Sequence, residues 1–160
     1  EPLNLQEVIQ RVVDLMKVEA ENKKIDLQFS SPSQISFIHA ARNSMEGIFT
    51  NLISNGIKYT PEGGKVWITL GEEGDFVKAS VADTGIGIKK EDLPRIFDKF
   101  YRVKTTETRQ IVGTGLGLSI VKSIVDAHLG TISVESEEGG GTSFTVLFPK
   151  ESNPVVSAPP

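Results

Sequence analysis

Asn51, Asn55 and Lys58 stand four and three residues apart inside an apolar run formed by Met45, Ile48, Phe49, Leu52, Ile53 and Ile57. The apolar residues recur at three- and four-residue steps, the spacing of one buried helix face. A helix turns about 100° per residue, so the two carboxamides and the ammonium share a stripe roughly 60° wide. Leu52 and Ile53 point elsewhere. Asn is a weak helix former that competes with the backbone in mid-helix. Its amide oxygen can ligate a hard cation such as magnesium, and a lysine beside it suits phosphate oxygens. Taken alone, the stripe fits a solvated polar face equally well.

Asp83 ends an alternating segment and precedes Gly85 and Gly87, which let backbone approach a ligand closely. A carboxylate held there can accept from an exocyclic amine such as adenine N6; the competing reading is a tight turn with a solvated Asp. Gly113, Gly115 and Gly117 alternate at a helix entry, where free N–H groups and the positive helix end favour anions. Their spacing is neither the dinucleotide fingerprint nor a P-loop. Gly139, Gly140 and Gly141 read as a hairpin turn, with Thr142 able to add a hydroxyl to a ligand network. Arg102 can reach a terminal phosphate if its loop closes, whereas Lys99 and Lys104 read as solvated charges. His39 and His128 have no Cys or paired carboxylate at ligand spacing and read as structural.

The elements that must position these groups follow from pattern. Leu5, Val8, Ile9, Val12, Val13, Met16 and Ala20 predict an amphipathic helix to about residue 22, with Asn4 as N-cap and Glu7 completing a capping box. Residues 24–30 alternate as a strand, and Ile35 and Phe37 suggest a short second one. The central helix stops at Thr60-Pro61. Residues 66–70 and 76–83 form a hairpin around a turn at 71–75. Leu93, Ile96, Phe97 and Phe100 suggest a short helix, and 101–113 a mobile loop. A helix from the glycines runs to His128 and is ended by Gly130, before strands at 131–137 and 142–148. Residues 151–160 are Pro/Ser-rich and expected to be disordered. The order predicts an α+β sandwich with helices on one sheet face.

Composition sets bounds. The chain has 160 residues, no cysteine and a net charge of −4. That excludes disulfides and thiolate metal sites, fits a reducing compartment, and argues against a general nucleic-acid binder. No apolar run approaches the roughly 20 residues of a membrane span. A start at Glu1-Pro2-Leu3 suggests an excised domain.

Taken together, 51–59, 83–88, 97–102 and 113–118 resemble, in order, the N, G1, F and G2 boxes of bacterial sensor histidine kinases. The resemblance covers about residues 5–149. It implies the Bergerat fold of the gyrase, Hsp90, histidine kinase and MutL superfamily: a two-layer α/β sandwich with a mixed, mostly antiparallel sheet and a mobile ATP lid at about 88–112. On that resemblance 1–150 is the catalytic and ATP-binding domain and 151–160 a tail.

Asn55 then matches the family's magnesium ligand, Asn51 its polar partner, and Lys58 a phosphate-contacting lysine. Tyr59 matches a residue packing near the nucleotide, and Asp83 the adenine-reading aspartate, with Gly85, Gly87 and Ile88 in that wall. Arg102 matches an arginine near the terminal phosphate. Gly113, Thr114, Gly115, Leu116, Gly117 and Leu118 match the lid hinge and phosphate cradle, and Thr142 a threonine beside the adenine. Asn51, Lys58 and Arg102 are the expected catalytic positions. Two residues depart from the pattern: Ser44 stands where many members have Arg, and Leu129 replaces the usual second Gly after His128.

The resemblance implies γ-phosphoryl transfer from Mg-ATP to a histidine on a separate dimerisation domain, for relay to a response regulator receiver domain. His39 and His128 are not that histidine. The isolated domain is expected to be a cytoplasmic monomer without membrane contact. An ATPase switch of the gyrase or Hsp90 type would need Glu in place of Asn51 to activate water. Glu46 lies roughly 140° round the helix and does not substitute. A degenerate nucleotide-binding module would have lost Asn55, Asp83 or the glycines, all of which are present.

Overall fold

Period-two alternation in the strands and helical spacing in the apolar runs converge on one core. In a computed structural model, the structure describes residues 1–99, 101 and 117–151. Five strands form the main sheet: β2 (Asp26–Ser30), β4 (Lys65–Glu73), β5 (Phe76–Asp83), β6 (Thr131–Ser136) and β7 (Thr142–Pro149), in the order β2-β4-β5-β7-β6. β2 runs parallel to β4, and the other neighbours are antiparallel. Register sets Ile68 beside Val81, Phe144 and Val134, and Leu70 beside Ala79, Val146 and Ile132. These side chains share one face because the strand period is two. The opposite face carries Trp67, Thr69, Ser80 and Thr145, with Trp67 set against Ala82.

Three helices cover the apolar face: α1 (Leu5–Asn22), α2 (Arg42–Lys58) and α3 (Gly117–Ala127). α2 lies between the other two and buries Met45, Ile48, Phe49, Leu52, Ile53 and Ile57. Each such side chain contributes roughly 1.5–3 kcal/mol on leaving water. A helix anchored on three sides is a firm support for whatever projects from its ends.

The helix and hairpin expectations hold closely, and the exceptions have physical reasons. Pro2–Leu3 forms β1, paired antiparallel with β3 (Ile38–His39), so the chain does not enter α1 at once and the second strand lies later than Ile35 and Phe37. Asn4 caps α1 through Gln6 N at 3.0 Å. The other half of the capping box is not formed; Glu7 faces Arg42 at 4.0 Å. The β4–β5 strands run on to Glu73 and Phe76, leaving a turn narrower than 71–75. The helix expected around Leu93 is a single 3₁₀ turn, Leu93–Arg95, containing Pro94. Glu151 is tied in, donating its N–H to Phe37 O and pairing with His39 Nε2 at 2.6 Å. Of the expected mobile loop at 101–113 only Tyr101 is among the described residues; Arg102 and Gly113, with Thr114, Gly115 and Leu116 of the expected helix entry, lie outside them, as does most of the expected tail.

α1 and α3 end alike. Ile25 N bonds Ala20 O and Lys24 N bonds Glu21 O; Gly130 N bonds Val125 O and Leu129 N bonds Asp126 O. Both pairs are the Schellman closure, whose penultimate residue takes the left-handed conformation. Lys24 has φ 62° and Leu129 φ 60°. Gly130 therefore does not supply the left-handed residue. Leu129 supplies it.

Candidate functional site

One end of the sheet's inner face is polar. Register aligns Val66, Asp83, Thr142 and Ser136 across β4, β5, β7 and β6 as the last row beyond the apolar ones. Asp83 Oδ1 accepts from Gly85 N at 2.8 Å and from Thr142 N at 3.2 Å. No described residue donates to Oδ2, which lies 3.8 Å from where a Cβ on Gly56 of α2 would stand. Burial pushes the Asp83 carboxyl above its ordinary 3.8, against the lowering effect of its two backbone donors. A half-buried carboxylate with one oxygen held by two backbone donors keeps its other oxygen for a further donor.

The loop after β5 is stitched to the protein rather than left free. Ile88 N donates to Ser136 Oγ at 2.8 Å, and Gly139 N to Ile86 O at 2.7 Å. Ser136 Oγ donates to Gly141 O at 2.9 Å, so its contact with Thr142 Oγ1 at 2.8 Å is donated by Thr142. Thr142 then keeps its lone pairs for another donor. The glycines serve this stitching. A Cβ on Gly87, at φ 74°, would lie 1.9 Å from Glu137 O, and one on Gly141, at φ 87°, would lie 2.1 Å from Asp83 O. A Cβ on Gly85 would meet Tyr59 O at 2.5 Å. Gly85 and Gly87 thus allow the loop to approach its own protein closely.

Above this row runs the α2 stripe. Asn51 Nδ2 donates to Gly47 O at 2.8 Å, and its Oδ1 faces Gly117 at the start of α3, 3.1 Å from where a Cβ there would sit. Asn55 is half-buried, Lys58 is exposed, and neither side chain bonds a described residue. Tyr59 ends α2, and its carbonyl accepts from Ile86 N at 3.1 Å, joining helix end to loop. Phe97 packs edge-on against Phe144 with ring centroids 6.3 Å apart, fixing the segment that leads towards Arg102. Leu118 and Ile88 pack against the core. Among the described residues no cluster of three His, Cys, Asp or Glu exists to hold a metal. A hard cation here would be held by an amide oxygen together with ligand and water oxygens, which suits magnesium.

Sequence reasoning missed three contributors. Ser136 joins strand and loop, and was visible only as one polar position in β6. Thr60 is fully buried with an unpaired Oγ1, 3.0 Å from where a Cβ on Gly85 would be. Lys23 donates from the end of α1 to Ile57 O and Lys58 O, each at 2.8 Å. No short-range pattern links Lys23 to residues more than thirty positions away.

Comparison with known proteins bears on the family and the fold. Residues 40–152 match the family described as histidine kinase-, DNA gyrase B-, and HSP90-like ATPase. The sensor histidine kinase WalK of Bacillus subtilis is 43% identical over 120 residues, 74% of this chain and 20% of WalK. The catalytic domain of the histidine kinase ThkA superposes with a TM-score of 0.81 at 34% identity, covering 94% of this chain and 95% of that domain. ThkA is also known in complex with the response regulator protein TrrA; that kinase chain matches at TM-score 0.78 and 32% identity, over 94% of this chain and 42% of its own length. Full-length ShkA in complex with AMPPNP matches at TM-score 0.81 and 31% identity, over 96% of this chain and 32% of ShkA. The chain thus spans about a fifth of WalK and a third of full-length ShkA. Among the described residues no helix is long and apolar enough to cross a membrane. The matched fold, the family profile and the ordered site together place this chain in the histidine kinase-, DNA gyrase B- and HSP90-like ATPase family, among the ATP-binding catalytic domains of sensor histidine kinases.

Proposed function

We propose that this chain binds Mg-ATP and transfers its γ-phosphoryl group to a histidine supplied by a separate dimerisation and histidine-phosphotransfer domain, for relay to a response regulator receiver domain. The observation that carries the reading is the juxtaposition of the open Asp83 Oδ2 with the α2 end that bears Asn55 and Lys58. The catalytic domain occupies 1–150, followed by the tail 151–160. The domain is monomeric alone, lies in the cytoplasm and makes no membrane contact of its own.

Asp83 Oδ2 and the Thr142 hydroxyl offer adjacent acceptors to the 6-amino group of adenine, and guanine would present a carbonyl to them instead. The Asn55 carboxamide oxygen would hold magnesium, which when bound neutralises phosphate charge. Lys58, Arg102 and the glycines 113, 115 and 117 would stabilise the transferring group, since this chemistry is mostly positioning and charge compensation. An incoming imidazole nitrogen bonds to the γ-phosphorus as the bond to the bridging oxygen breaks and ADP leaves; the imidazole later sheds its proton to a group outside this chain. Asn51 is an amide committed to Gly47 O, so it cannot take a proton from water. That favours transfer over hydrolysis.

Calorimetric titration with AMPPNP, with and without magnesium and beside a guanine control, tests the reading. Adenine-selective binding strengthened by magnesium is expected. Asn55→Ala should remove the magnesium enhancement, roughly 100-fold in affinity, while the domain stays folded. Equal affinity for both bases would reject the assigned base wall.

A further inference from the structure

α2 is capped at both ends by its neighbours rather than by its own sequence. Its N-cap is Ala41, which offers no side-chain acceptor. Ala41 N–H donates instead to His128 Nε2 at 3.4 Å, while the other ring nitrogen lies 2.8 Å from Ile124 O. Both contacts are satisfied together when the proton is on Nδ1. At the other end the last carbonyls of a helix lack intrahelical donors. Ile57 O and Lys58 O are both taken by Lys23 Nζ, and Tyr59 O by Ile86 N. Lys23 is the C-cap residue of α1, and the left-handed Lys24 after it turns the chain back towards the sheet.

The ammonium sits at the negative end of the α2 dipole, where a cation is favoured. Burial holds the Lys23 pKa below 10.5, partly offset by Glu19, so the contact is made at some cost in solvation. A surface lysine with no task would turn out to water. This one makes two 2.8 Å bonds to the turn that bears Asn55 and Lys58.

We propose that Lys23 is a positioning residue for the phosphate half of the nucleotide site. By holding the carbonyls of Ile57 and Lys58 it fixes the last turn of α2, and with it the directions of the Asn55 carboxamide and the Lys58 side chain towards the triphosphate. The inference rests on the Mg-ATP reading. It separates the two halves of the site, because Asp83 Oδ1 on β5 is held by Gly85 N in the following loop and by Thr142 N on β7, without Lys23.

The test compares AMPPNP with magnesium against adenosine, on the parent chain and on Lys23→Met, Lys23→Arg and His128→Ala. Lys23→Met should weaken AMPPNP about tenfold and adenosine less than twofold. Lys23→Arg, which keeps a cationic donor, should recover most of the loss. His128→Ala, at the far end of the same helix, should lower the melting temperature and leave the ratio of the two affinities unchanged. Should Lys23→Met not fold, Lys23→Gln takes its place in the same comparison. Equal loss for both ligands would make Lys23 a merely structural cap, and no loss would remove it from the site; either result overturns the proposal. A parent chain that binds neither ligand would reject the nucleotide reading itself, which is a different failure.

Discussion

The proposed base wall and the proposed phosphate side of the site are built by different means. The wall is interlocked: Gly85 N and Thr142 N donate to Asp83 Oδ1, Ile88 N to Ser136 Oγ and Gly139 N to Ile86 O, and glycines without Cβ atoms close the gaps. The described part of the phosphate side is side chain: Asn55 and Lys58 bond no described residue and owe their directions to a helix end held by Lys23. A wall interlocked in this way would present fixed acceptors to one flat group without moving. Groups on a helix end depend for their direction on the few contacts that hold that end.

The contrast can be broken most severely at the wall. Gly141→Ala would force a side chain into the left-handed region with its Cβ 2.1 Å from Asp83 O. A loss of roughly 2–4 kcal/mol is expected from backbone strain and overpacking together, read as a lowered midpoint in urea. Adenosine affinity should fall with it.

Asp83→Asn sharpens the contrast from the chemical side. The amide keeps an oxygen for Gly85 N and Thr142 N but presents NH₂ where Oδ2 was, so adenine affinity should drop roughly 10- to 100-fold by titration. Stability should move the other way. Because burial raises the folded carboxyl above 3.8, the native state binds its proton more tightly than the unfolded chain does. Asp83 therefore costs stability progressively as pH rises from the unfolded pKa through the folded one, and the full cost persists above it. The Asn variant should lack that decline, giving a higher melting temperature at pH 7 and a gap that narrows on acidification below both pKa values.

The smallest effect belongs away from both halves. Leu129 is 81% exposed, so Leu129→Gly gives up little packing while relieving a left-handed φ of 60°. A gain of about 1 kcal/mol is expected from thermal unfolding, with nucleotide affinity unchanged. Altered affinity would mean that the end of α3 reaches the site.

Much of this was legible in the sequence, for reasons that also mark the limit. α1, α2 and the β4–β5 hairpin were readable because their hydrophobic period and their burial are the same fact. β1 and β3 were not, since two-residue strands have no period. The one-turn 3₁₀ element is likewise too short to separate from the start of a helix containing Pro94. Gly85 and Gly87 were correctly singled out as places of close approach, yet composition does not say what approaches, and it is Tyr59, Asp83 and Glu137. Asn51, Asn55 and Lys58 do lie along one helix, as spacing requires, but the commitment of Asn51 to Gly47 O is a rotamer choice that spacing leaves open. Lys23 was invisible because its partners are set by how α1 packs on α2.

The double capping of α2 also bears on how the chain assembles. Ala41 has no acceptor to start the helix, and the donors that finish it come from α1 and from the loop after β5. Neither terminus can be completed until α1, α3 and the hairpin have docked. The ends of α2 are therefore secured by long-range contacts. Its amides should exchange with solvent mainly through global rather than local opening, so the residues proposed to handle phosphate inherit the cooperativity of the entire domain.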